Sequence, residues 1–130
     1  GGVLLVEDFD TGEVRTIDRS GPSHELIVRI AQAFNHLLGT RGGVSDFAAN
    51  ALRTLRGHGL ADTGASGYVA VDYGGRGWAC VQAANARQVR DGLITQGITP
   101  TEIDQFLEAL ADPDTIVGSS VLISTWGRRR

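Results

Sequence analysis

The sequence predicts an α/β fold of three strands and about four helices in one compact unit. Two observations carry that expectation. Apolar residues recur every three or four positions from Leu26 to Leu38, from Phe47 to Leu55 and from Ile103 to Leu110, the spacing of helices with one buried face. β-Branched and aromatic runs at Val3 to Val6, Tyr68 to Tyr73 and Val121 to Ile123 alternate with them and read as strands. A chain of 130 residues, 42% apolar and 21% charged, builds one core and belongs to neither the disordered nor the fibrous classes.

Val3-Leu4-Leu5-Val6 is apolar on both faces, as in a strand covered on both sides. Glu7, Asp8, Phe9 and Asp10, then Thr11-Gly12, close it with an acidic turn, and in open α/β sheets the ligand crevice lies beyond such carboxyl ends. Ser20-Gly21-Pro22-Ser23 breaks the chain, with Ser23 placed to cap a helix carrying Leu26, Ile27, Ile30, Phe34, Leu37 and Leu38 on one face and stopped by Gly39. Ser45 is the expected cap of a second helix, with Phe47, Ala48, Ala51, Leu52 and Leu55 inward. Asp62-Thr63-Gly64 reads as a turn before the strand at Tyr68 to Tyr73, which Gly74, Gly75 and Gly77 end.

A third helix is expected over 77–92, with Trp78, Val81, Ala84, Val89 and Leu93 inward and Gly92 and Gly97 cutting it off. Thr99-Pro100-Thr101-Glu102 has the form of a capping box with proline at the first helical position. The fourth helix buries Ile103, Phe106, Leu107 and Leu110 and stops at Asp112-Pro113-Asp114, and the last strand lies within Ile116 to Trp126.

Several functions are disfavoured. A net charge of −3, with no basic stripe ahead of Arg128-Arg129-Arg130, argues against an electrostatic nucleic-acid binder. No apolar stretch approaches the roughly 18 to 20 residues of a membrane span, so a soluble chain is expected. Cys80 as the single cysteine rules out an internal disulfide and fits a reducing, cytoplasmic setting. It is expected as a small buried hydrophobe rather than a nucleophile. His24, His36 and His58 lack the spacing of zinc ligands, and neither Gly57-His58-Gly59 nor Gly74-Gly75-Arg76-Gly77 makes a nucleotide fingerprint. Ser119, Ser120 and Ser124 lack a nucleophile elbow and read as sheet residues. Two sets of candidates remain. Glu7, Asp8 and Asp10 either orient a substrate hydroxyl or amine, or form a solvated turn; His24 and His36 are either general bases facing a pocket or solvated helix residues.

The words and their order resemble a known family. Gly1-Gly2-Val3-Leu4-Leu5-Val6-Glu7-Asp8-Phe9-Asp10 is similar to the fifth strand of class I S-adenosylmethionine-dependent methyltransferases with the turn before it. Leu110-Ala111-Asp112-Pro113-Asp114, then Ser119, and Ser124-Thr125-Trp126-Gly127-Arg128-Arg129 resemble the ending of a bacterial, notably actinobacterial, branch of that family. Leu52-Arg53-Thr54-Leu55 to Gly59-Leu60 looks like the helix and turn before the sixth strand.

The resemblance implies that residues 1–130 are the C-terminal, substrate-side part of a Rossmann-like methyltransferase domain, a three-stranded antiparallel sheet in the family's order 5-7-6. The cofactor-binding half would be absent. The lack of any methionine and the opening on Gly1-Gly2 likewise read as a piece of a longer protein. By the same implication the parent uses S-adenosylmethionine on a small-molecule acceptor, while this chain alone binds no cofactor and is inactive. The helix from about Ser23 to Leu38 would be the substrate cover, making Glu7, Asp8, Asp10, His24, Phe34, Asn35 and His36 the acceptor contacts, although Phe34 reads as a core residue ahead of a pocket one. No catalytic residue is implied. The first strand would keep an unpaired edge, through which a homodimer is expected. The alternative is a stand-alone α+β module that binds a small ligand or dimerises.

Overall fold

The computed structural model of the chain describes residues 1–12 and 17–130. In order, they form β1 (Val3–Asp10), α1 (His24–Thr40), α2 (Phe47–Gly57), β2 (Ala61–Tyr68), β3 (Val71–Tyr73), α3 (Gly77–Gln88), α4 (Arg90–Thr95), α5 (Pro100–Ala111), β4 (Ile116–Gly118) and β5 (Val121–Arg128). The expected α/β character is present, with five helices among the described residues instead of four and a second, two-stranded sheet. Where one compact unit is expected, the chain divides into two: β1, Val44–Val69 and Ser120–Arg130 make the first, and α1 with Ala70–Ser119 the second.

In the first unit β5 lies between β1 and β2 and runs antiparallel to both, so β1 and β2 point the same way. Alternation along the strands gives the sheet two unlike faces. Thr125 and Gly127 are buried on the face that α2 covers with Ala48, Ala51 and Leu55. The other face carries Val3, Leu5 and Trp126, all exposed. The expectation that β1 is covered on both sides is therefore wrong: an apolar run records what a strand could bury, and β1 is an edge strand with only one face packed.

Three boundary expectations shift for local reasons. The Ser45 carbonyl accepts from Thr11 N at 3.0 Å, and Asp46 takes the N-cap position of α2. Asp62-Thr63-Gly64 lies inside β2 as a register irregularity, with Asp62 at φ 49. Aspartate tolerates the left-handed region, so its chemistry makes a bulge here and not a chain reversal. The strand expected from Tyr68 to Tyr73 is likewise split, Tyr68 ending β2 and Val71 opening β3.

The second unit holds the main core. Ile30 and Ala33 of α1, the alanine stripe Ala79, Ala83 and Ala86 of α3, Leu93 of α4 and Ile103, Phe106 and Leu110 of α5 pack together, with Val117 of β4. β3 and β4 pair antiparallel, Asp72 opposite Val117. The expected third helix is two helices, broken at Val89 (φ −109, ψ 22). Its buried face also differs from the expected one, since alanines turn inward and Val81 is 43% exposed. Cys80, expected to be buried, is exposed by the same rotation. Small side chains let α3 lie close to α5, whose large residues then fill the space.

Gly92 lies within α4 and does not end it; an added Cβ there would come within 2.7 Å of Leu37 Cδ2, so the glycine is a seat for α1. Gly42, at φ 81, and not Gly39, makes the left-handed turn after α1. The capping box of α5 is formed as expected: Thr99 accepts from Glu102 N at 3.2 Å and Glu102 accepts from Thr99 N at 2.8 Å.

Candidate functional site

The acids of β1 are divided by the strand. Glu7 lies on the open face and accepts a hydrogen bond from Ser124 Oγ, while Asp8 and Asp10 lie on the opposite face by alternation. The Asp8 carboxylate accepts from Phe9 N at 2.8 Å and the Asp10 carboxylate from Gly12 N at 3.1 Å, the second closing the turn after β1. The three do not form one cluster.

The four candidates on α1 separate as well. Phe34 packs against the core and Asn35 is half-buried, whereas His36 is exposed. His24 and His36 are twelve residues apart, about 18 Å along the axis, so they do not share a site.

His24 stands at the start of α1, its backbone N–H bonded to Gly21 O at 3.1 Å. Its Nδ1 is buried and makes no hydrogen bond among the described residues. This side chain lines a cavity of about 100 Å³ with Asp18, Ser23, Ile27, Asp112 and Asp114. Asp18 Oδ1 accepts from Ser20 N at 3.1 Å and Oγ at 3.0 Å, and Asp112 Oδ1 accepts from Asp114 N at 2.9 Å. Each carboxylate retains further acceptor capacity beyond these bonds. Pro22 and Ser23 also border a wider groove of about 450 Å³, lined by Glu25, Arg29, Glu102 and Gln105. A polar recess beside a groove suits a small ligand that donates hydrogen bonds from a hydroxyl or amine.

Sequence reasoning missed Asp18, Asp112 and Asp114. One signal was available. Asp112 caps the C-terminal end of α5, whose last turn holds no basic residue, and an acid there opposes the helix dipole. No group of three or more His, Cys, Asp or Glu among the described residues is arranged to hold a metal ion.

The groove is built on an ion pair. Arg29 Nη1 meets Glu102 Oε1, and Arg29 Nη2 donates to Gly97 O at 3.1 Å. Hydrogen bonds from the Thr99 backbone and then its hydroxyl, with the Arg29 charge beside them, outweigh desolvation and hold the Glu102 carboxyl below its ordinary range. A depressed carboxylate contributes stability that is present above its unfolded pKa and lost as pH falls through the folded one. Accordingly, Glu102→Gln is expected to lower the melting temperature at neutral pH, and the gap from the unsubstituted protein should close as the solution is acidified below the carboxylate range. A gap that stays constant with pH in thermal melts would contradict the charged cap.

The glycine-rich segment after β3 has a different role. Asp72 Oδ2 accepts from Trp78 N at 2.7 Å, in the first turn of α3, and Gly77, at φ 40, leaves room for that carboxylate. The positive end of α3 is thus occupied by the chain's own acid.

No helix among the described residues is long and apolar enough to cross a membrane. No protein family, curated protein or solved structure matches this chain.

Proposed function

We propose that this chain is the substrate-side part of an S-adenosylmethionine-dependent methyltransferase acting on a small-molecule acceptor. The observation that carries the reading is the arrangement of the first unit. β1 and β2 run the same way, α2, which leads into β2, packs over one face, and the C-terminal strand β5 is inserted between them antiparallel. Such a crossover, its gap filled by the last strand, is what the family order 5-7-6 requires of these residues.

The acceptor would occupy the polar recess and groove of the second unit. Asp18, Asp112 and Asp114 accept hydrogen bonds from its hydroxyl or amine, and the unpartnered Nδ1 of His24 takes the proton that the nucleophilic atom sheds. Methyl transfer asks mainly for positioning of the two reactants, which is the work assigned to these side chains. The implied cofactor supplies the methyl group, but the residues here do not fit it: the strand–glycine–helix segment at β3 and α3 closes on Asp72. On this reading the cofactor is held by residues outside the 130.

Calorimetric titration of S-adenosylhomocysteine tests the reading, first into the 130-residue chain and then into a product of the gene carrying the residues encoded ahead of Gly1. Binding to the longer product alone is the expected result. Micromolar binding to the 130-residue chain would overturn the division between cofactor and substrate halves, and binding to neither would overturn the methyltransferase assignment.

A further inference from the structure

The recess of the second unit has a charge of its own. Its described lining holds the carboxylates of Asp18, Asp112 and Asp114, the imidazole of His24, and no arginine or lysine. His24 is the first residue of α1 and Asp112 caps the end of α5, and the partial charges of those two helix ends oppose each other, so the side chains decide the sign. Asp18 Oδ2, Asp112 Oδ2 and both carboxylate oxygens of Asp114 accept no hydrogen bond among the described residues. Gly21 leaves the room that Asp18 Oδ2 occupies, since a Cβ there would stand 2.7 Å from it.

His24 adds an acceptor of a different kind. Its Nδ1 is buried without a partner among the described residues, and a buried polar atom left unpaired is costly. With the proton on Nε2, that nitrogen is a bare acceptor. Carboxylates and a neutral imidazole nitrogen together are matched by a group that donates several hydrogen bonds, accepts none and carries positive charge, which describes an alkylammonium. A hydroxyl would leave the carboxylate charge uncompensated. A metal ion needs its ligands to converge, and no group of three or more His, Cys, Asp or Glu among the described residues does so. A volume of about 100 Å³ is roughly that of three waters in the liquid, room for an aminoalkyl head, with Pro22, Ile27 and Ile116 as apolar wall for its carbons. Pro22 and Ser23 also border the wider groove, which gives a longer amine its way out.

We propose that the recess binds the protonated primary amine of a small aminoalkyl ligand, the ammonium donating to the carboxylates of Asp18, Asp112 and Asp114 and to His24 Nδ1. This rests on the acceptor entering this recess and not on the reaction it undergoes there. It therefore stands even where S-adenosylhomocysteine binds neither product of the gene.

NMR titration of the 130-residue chain with n-propylammonium chloride at pH 7, at constant ionic strength and without cofactor, tests it. The readout is the ring resonances of His24 and the amides of Asp18, Asp112 and Asp114, with n-propanol and sodium propionate as the neutral and anionic counterparts. Saturable shifts with a millimolar dissociation constant are expected, the scale for so small a ligand. Propanol should bind at least about tenfold more weakly, and propionate should leave these resonances in place. Asp114→Asn removes a charge that holds no hydrogen bond among the described residues, and Asp18→Asn keeps an oxygen for the Ser20 donors. Each should weaken propylammonium by about threefold and the pair by about tenfold, with circular dichroism showing that the fold is retained. Propanol binding as tightly as the amine, propionate shifting the same resonances, or an affinity unchanged in the folded double variant would each overturn the proposal.

Discussion

Phe106→Ala is expected to destabilise the second unit by about 3 to 5 kcal/mol, the usual range for emptying a large aromatic from a packed core. Phe106 is 1% exposed and is the largest of the fully buried side chains among the described residues. It projects from α5 into a core whose facing helix α3 contributes only alanines, so that helix has no long side chain to fill the space. Domains of this size are stable by only about 5 to 15 kcal/mol, and the substitution removes a large share of that. Urea unfolding followed by circular dichroism measures it; a loss below about 1 kcal/mol would mean that the α3–α5 contact collapses freely.

Gly74→Ala is expected to be of similar severity for a different reason. A Cβ at Gly74 would run into the backbone oxygen of Asp112, and into its carbonyl carbon at 2.7 Å, and neither is a flexible chain end that could move aside. Gly74 N also donates to Thr115 O at 2.8 Å, and Gly75 N to Leu110 O at 2.7 Å, so the segment has no freedom to retreat without breaking both bonds. Overpacking of this kind typically costs about 1 to 3 kcal/mol or more. Because the strain falls on Asp112, the acidic rim around His24 should move with it. The variant is therefore expected to melt lower and to change the environment of His24, read as a shift of its imidazole resonances in NMR. Unchanged stability together with unchanged resonances would mean that β3 is not held against the end of α5.

Much of the fold was legible because its signals are local. The stripe of α1, the capping box at Thr99 and Glu102, the termination of α5 at Asp112 and the apolar runs of β1 and β5 each depend on residues within a turn or two of one another. The same reading went wrong where one residue type serves two purposes. Gly92 reads locally as a helix stop, whereas the space it leaves is filled by Leu37, more than fifty positions away in the chain. Asp62 reads locally as a turn because bulges and turns use the same left-handed aspartate. Of the candidate residues, His24 alone among those described lines the cavity: Glu7, Asp8 and Asp10 belong to the first unit's sheet, Phe34 packs against the core and His36 is exposed.

By itself the sequence determined the α/β alternation, the buried stripes of α1 and α5, and the acidic, single-cysteine character of the chain. Those properties follow from short-range sterics, hydrogen-bond capping and side-chain period, which act within a few residues. Tertiary structure alone decided the division into two units, the insertion of β5 between β1 and β2, which face of β1 stays open, and the meeting of Asp18, His24, Asp112 and Asp114. Each of these depends on contacts between segments far apart in the chain, and an apolar run is the same run whether or not another element arrives to cover it.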